Sequence, residues 1–287
     1  MNTDQKVLAC VDQSAFADHV TDYAAWAAQR MGAPLELLHV IDRHPETSQS
    51  QDHSGSLAPN AQERLLGELA AADAARSKAA REQGRLFLNR LRERALAAGV
   101  QTVDVRQRLG HLDDTLHEQQ DGVRLFVLGR RGGSAQSTQR ILGRNVERVV
   151  RALGRPILTV TEGFKAPERV LVAFDGSSIT RKGVDMVANS PLFRGLPVHL
   201  LMAGQASTDG PKHMAWATDQ LEAAGLEVVG ERVQGDLEVV VAETIRDQGI
   251  DLLVMGAYTH SPLRNLFKGS KTTDLLRSAC IPTLLLR

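Results

Sequence analysis

The sequence predicts an α/β protein built as two tandem, doubly wound, five-stranded parallel-sheet sandwiches of Rossmann-like type. Three observations predict it: an internal repeat, regular alternation of apolar strands with helical stretches, and a length of 287 residues, enough for about two domains. Hydrophobic residues at 43% and charged residues at 24% can fill two ordinary cores and exclude disordered, collagenous and coiled-coil classes.

The elements follow in order from the repeat. Residues 7–14, VLACVDQS, match 170–177, VLVAFDGS, so that an apolar strand runs straight into Asp12 in one copy and Asp175 in the other. LELLHVI (35–41) matches VHLLMAG (198–204), and RLGH (108–111) matches VQGD (233–236). LFVLG ending at Gly129 matches LLVMG ending at Gly256, and RPILTV (155–160) matches IPTLLL (281–286). The spacing between matched positions drops by about 38 residues after the second strand, which places an insertion in the first half. The polar segment TEGFKAPE (161–168) suits a linker between domains at 1–162 and 168–287.

In the second half, strands are expected at about 169–174, 197–203, 226–233, 251–255 and 282–286, with helices near 178–189, 211–224, 236–248 and 270–279. Near-continuous apolar strands such as LFVL and LLVM argue for a parallel sheet covered on both faces by crossover helices. Gly99 and Gly225 stand where a helix C-cap needs a left-handed residue. The first-half excess spans 43–98. Residues 43–62 read as an exposed loop, and 63–98 as helix with Leu65, Leu66, Leu69, Ala72, Leu88, Leu91 and Ala95 on one stripe and a break near Gly84.

Lys plus Arg and Asp plus Glu both number 34, so no global positive field gathers nucleic acid or anionic lipid. Seven basic residues lie within 76–94 (Arg76, Lys78, Arg81, Arg85, Arg90, Arg92, Arg94), and a solvated helix face interleaved with Glu82 and Glu93 explains them without nucleic acid. Cys10 and Cys280 lack metal or redox spacing and read as buried thiols. Asp4 stands where a signal peptide wants basic residues and no run approaches a membrane span, so a soluble, cytoplasmic protein without a membrane partner is expected.

In an open parallel sheet, ligands bind beyond the carboxyl ends of the strands where strand order reverses. Three second-half segments end there: Asp175, Met202–Ala203, and the stretch 255–274, in which Met255–Gly256 leads through a loop to Gly269–Ser270 opening a helix. Free N–H groups at a helix start favour an anion, and Arg264, Lys268 and Lys271 add positive charge. No Walker A loop occurs. The alternative is purely structural: Asp175 with Gly176, Ser177 and Ser178 serves equally as a helix N-cap, and the glycines as turn residues. No H-E-x-x-H occurs, His111 and His117 fall on different helix faces, Asp113 and Asp114 suit a helix start, and Ser177 and Ser270 show no adjacent base.

The strand ending in Asp, HVID at 39–42, and a fourth-strand exit close to G-x2-G-x9-G-[ST] resemble the universal stress protein family, present here as a tandem pair. The resemblance implies ATP or a related adenine nucleotide, with Mg2+ beside the phosphates. It implicates Asp175 at the ribose and Ala203 at adenine, with Met255, Gly256, Thr259, Gly269, Ser270, Lys271 and Thr272 around ribose and phosphates. Thr259 replaces the motif's second glycine. A weaker first-half site comprises Asp12, Val40, Gly129, Gly132, Gly143, Arg144 and Asn145, its loop one residue longer and Arg144 standing where Ser or Thr is expected. The second half is therefore the favoured nucleotide site. The resemblance further implies antiparallel pairing of the two last strands as an internal pseudo-dimer, and whole chains could dimerise again. The expected function is nucleotide-dependent stress sensing or signalling rather than catalysis. The competing reading is a ligand-free interaction scaffold with degenerate pockets that uses the 43–98 excess as its contact surface.

Overall fold

Each apolar run marked by the repeat becomes a strand because its side chains are covered on both sides. Val7, Leu8 and Ala9 are fully buried, as are Val170 and Leu171 in the second copy. The computed structural model describes residues 5–41, 59–130, 148–150, 152–205, 208–256 and 281–286. The strands are β1 (Lys6–Cys10), β2 (Leu35–Ile41), β3 (Val103–Leu109), β4 (Val123–Gly129), β5 (Ile157–Val160), β6 (Val170–Ala173), β7 (Val198–Ala203), β8 (Val228–Val233), β9 (Leu252–Gly256) and β10 (Thr283–Leu286).

Strand order is β3-β2-β1-β4-β5-β10-β9-β6-β7-β8, so the two five-stranded parallel sets merge into one ten-stranded sheet. The only antiparallel neighbours in this order are β5 and β10, with Thr159 opposite Thr283 and Ile157 opposite Leu285. Each set thereby hides the edge it would otherwise expose. Within each set order reverses beside the first strand, between β1 and β4 and between β6 and β9.

Four helices cover one face: α1 (Ala17–Met31), α2 (Pro59–Ala97), α4 (Ser178–Asn189) and α5 (Gly210–Ala223). α3 (Leu112–Gln119) and α6 (Leu237–Asp247) lie on the other with the helical residues 148–150. Each apolar layer is continuous across the junction of the halves, Leu158 and Leu284 in the first and Ile157 and Leu285 in the second. Gly32 ends α1 in a left-handed conformation, its N–H reaching the carbonyls of Ala28 and Gln29. Gly99 and Gly225 are likewise left-handed, as expected.

The crossover from β2 to β3 departs most from the sequence reading. α2 is a single helix of 39 residues that begins at Pro59, inside the expected loop, and passes through Gly84 without a break. Gly84 is instead the crossing point on the sheet: a Cβ there would stand 2.2 Å from Gln107 Nε2 and 3.3 Å from His39 Cδ2. Gly210, at the start of α5, occupies the same place against Met202 and Arg232. The C-terminal part of α2 thus repeats α5, and residues 59–83 extend the helix by about 37 Å on the N-terminal side of that crossing. Leu88, Leu91 and Ala95 of the expected stripe are buried; Leu65, Leu66, Leu69 and Ala72 have side chains outside the described set. Three of the basic residues form surface ion pairs within the chain: Arg90 with Asp18 at 2.7 Å, Arg94 with Asp22 at 2.6 Å and Arg85 with Glu82 at 2.7 Å. Among the described residues no helix is long and apolar enough to cross a membrane.

The junction carries polar fastenings as well as apolar area. Arg130 is only 5% exposed, and its Nη2 donates to the Ile281 carbonyl at 2.5 Å and to Thr283 Oγ1 at 2.9 Å. Thr159 Oγ1 donates to the Thr283 carbonyl at 3.1 Å.

Candidate functional site

In both halves an Asp stands just past the first strand, beside the strand across which order reverses. The N–H of Val11 bonds to the Leu38 carbonyl and that of Phe174 to the Leu201 carbonyl, so both chains leave the sheet in the same way immediately before Asp12 and Asp175. Cys10 lies opposite Leu128, which places Asp12 beside the end of β4 at Gly129. Val172 lies opposite Val254, which does the same for Asp175 and Gly256. Val40, next to last in β2, and Ala203, last in β7, lie at the ends of the neighbouring strands. Asp12, Val40 and Gly129 therefore gather at one strand end, and Asp175, Ala203, Met255 and Gly256 at the other. Thr259, Gly269, Ser270, Lys271 and Thr272 lie outside the described residues, as do Gly132, Gly143, Arg144 and Asn145.

The carboxylate of Asp175 is held in place. Its Oδ1 accepts from the Ser177 N–H at 2.9 Å and from Thr180 Oγ1 at 2.7 Å. Ser177, not Asp175, is the N-cap of α4, its side chain accepting from the Thr180 N–H. Asp12 makes the simpler version, accepting from the Ser14 N–H at 3.2 Å and from the Ser14 hydroxyl. Structural anchoring and ligand contact are thus compatible at Asp175, because a carboxylate accepts several hydrogen bonds.

Gly256 and Met255 also have packing roles. At Gly256 a Cβ would stand 3.1 Å from Ile179 Cγ2, so the missing side chain also admits the first turn of α4. Met255 is 2% exposed and belongs to the apolar layer of the second face, so only its backbone can reach a ligand.

Sequence reading missed the groups packed around Gly176, next to Asp175. Gly176 has φ +78°, and His213 from α5 lies hard against it, Nδ1 standing 2.2 Å from where a Cβ would sit. One turn on, Trp216 stacks near Phe174 with centroids 6.3 Å apart, and the Arg181 guanidinium lies 4.7 Å above the Trp216 ring. Arg181 Nε also donates to the Gly176 carbonyl at 3.0 Å. The His213 and Trp216 spacing on the expected helix was the available signal. Together they give the strand end an imidazole, a cation and aromatic area beside a fixed carboxylate. Among the described residues no group of three or more His, Cys, Asp or Glu side chains gathers to hold a metal.

The profile of the universal stress protein family matches residues 4–161 and again 167–287. The chain belongs to the universal stress protein family. A relative, universal stress protein Slr1230 of Synechocystis sp., is 33% identical over 286 residues, covering 99% of this chain and all of the relative. The crystal structure of a universal stress protein from Archaeoglobus fulgidus superposes with a TM-score of 0.72 at 16% identity, covering 99% of this chain and 97% of that one. A putative universal stress protein from Pseudomonas aeruginosa gives 0.57 at 16% identity, covering 99% and 93%. The family is thus present twice in tandem, on the fold expected for it.

Proposed function

We propose that the chain binds an adenine nucleotide such as ATP at the carboxyl edge of the second half and acts as a stress-responsive sensor or signalling protein. The observation that carries this reading is the Asp175 carboxylate, fixed at the point of strand reversal beside Gly256, with His213 and Arg181 packed on the adjacent Gly176. That is where an open parallel sheet receives ligands, and an acid at this position accepts from ribose hydroxyls. Ala203 would border the adenine, and the 256–272 segment, with Gly269 and Ser270, the phosphates. Mg2+, if bound with the nucleotide, would neutralise phosphate charge, and Asp175 is a described carboxylate that could help hold it, since Mg2+ commonly takes only one or two from the protein. The proposed response is a ligand-dependent shift in the population of the 256–272 segment, without dedicated turnover. The first half is the weaker site.

The test is thermal unfolding of the full chain with millimolar ATP and Mg2+. An upward shift supports the reading, because a ligand that binds only the folded state stabilises it by mass action. Asp175→Asn keeps the acceptor that anchors α4 but removes the charge, and should cut the apparent affinity about tenfold. Gly269→Val should abolish the shift and Gly143→Val should leave most of it. No shift in the unaltered chain would favour the scaffold reading, which the extending residues 59–83 of α2 support as a contact surface.

A further inference from the structure

The repeat makes each half a template for the other, and on the α1/α4 face it exposes one unmatched feature. Val7 and Val170 donate to the carbonyls of Pro34 and Pro197, and Phe126 and Leu253 to those of Pro156 and Pro282. Gly32 and Gly195 are both left-handed. These equivalences pair Tyr23 with Met186 and Asp251 with Arg124.

Around Tyr23 and Asp251 the groove between the halves is covered by the linker. The Tyr23 hydroxyl donates to the Gly163 carbonyl at 3.3 Å, and the ring meets Phe164 edge to face at 4.8 Å. Lys165 Nζ pairs with Asp251 at 2.6 Å, and the Glu168 N–H donates to the same carboxylate at 3.1 Å. An aromatic ring followed by a cation thus fills the groove and matches the acid in its wall.

The equivalent groove on the other side is open. It is a cleft of about 190 Å³ crossing the junction, floored by Leu125, Leu192, Phe193 and Leu284, with Met186 and Arg124 at the positions of Tyr23 and Asp251. Arg124 is half-buried and makes no hydrogen bond or ion pair with the described residues. The wall charge is therefore reversed, and the aromatic wall residue is replaced by a flexible thioether. A dry cavity of about 150 Å³ already accommodates benzene, so the space suits one ring.

We propose that this cleft is a binding site for a small aromatic monocarboxylate, its ring lying on Met186 and Phe193 and its carboxylate on the Arg124 guanidinium. The ring takes the place that Phe164 holds in the covered copy, and the carboxylate takes the place of Lys165 with the opposite sign. Arginine suits the role because its planar fork meets a carboxylate in two parallel hydrogen bonds.

The experiment is isothermal titration of the full chain with 3-phenylpropionate and with 2-phenylethylamine. Saturable binding of the acid at millimolar concentration is expected, with the amine at least about tenfold weaker. Arg124→Glu should reverse that order, reproducing the charge logic of Asp251 and Lys165. Met186→Tyr installs the side chain against which Phe164 packs in the covered copy and should keep the acid bound with the same preference over the amine. The proposal is overturned if the full chain does not bind the acid saturably, if Arg124→Glu leaves the preference unchanged, or if folded Met186→Tyr loses the acid.

Discussion

At the scale of single residues, the carboxyl edge of the second half is arranged by contacts that the chain itself needs. Gly176 combines a left-handed backbone with the closeness of His213, so Gly176→Ala should cost about 2 kcal/mol of stability in urea unfolding and weaken the ATP-induced shift as well. Arg130 should matter comparably for stability alone: Arg130→Ala leaves the Ile281 carbonyl and the Thr283 hydroxyl without their charged donor, at about 2 kcal/mol. Burial pushes the Cys10 thiol well above its ordinary value of 9.0, and the nearby Glu36 carboxylate pushes the same way. A folded-state value raised in this way contributes stability that is complete below the ordinary value and is lost as pH rises, because the unfolded chain releases its proton first. Between pH 8 and 10 the unaltered chain should therefore lose about 1.4 kcal/mol more than Cys10→Ala, measured from urea midpoints. Equal losses would show that the thiol ionises as readily folded as unfolded.

At the scale of elements, the strands and most helices were legible because their causes are local. Apolar runs bounded by Gly and Pro placed β6 to β10 within a residue or two, and Ser177, Gly99 and Gly225 mark helix ends by their own chemistry. α2 was misread for a reason that is not local. Gly84 lowers helix propensity when the sequence is read alone, yet its missing side chain is what lets the helix cross His39 and Gln107 at short range. Gly84→Val should accordingly lift α2 from β2 and β3 and cost about 2 kcal/mol in urea unfolding, although valine is the better helix former. A cost of zero would mean that the crossing is loose. Asp175 and Gly256 were found from strand ends, whereas His213 and Arg181 became visible only once α5 was packed beside α4, since chain separation hides such neighbours. The packing of Ile179 against Gly256 was hidden for the same reason.

At the scale of the whole molecule, the β5–β10 pairing decides the character of the protein. Both apolar layers run through it, so the halves should unfold in one transition with coincident probes, and the segments 1–162 and 168–287 made as separate chains should associate through the strand edges they would otherwise expose. Two separate transitions with non-associating halves would contradict that. The repeat itself was readable in the sequence; the single ten-stranded sheet depends on the meeting of strands more than a hundred residues apart, which periodicity does not encode. The halves differ within this common sheet: the proposed nucleotide site lies at the carboxyl edge of the second, and the first carries the long N-terminal extension of α2. The most direct measurement of that central assignment is the ATP and Mg2+ dependence of the melting temperature for the unaltered chain, Asp175→Asn and Asp12→Asn side by side. The account predicts a clear rise in the unaltered chain that Asp12→Asn largely retains and Asp175→Asn largely loses; a rise that survives in Asp175→Asn and vanishes in Asp12→Asn would contradict it.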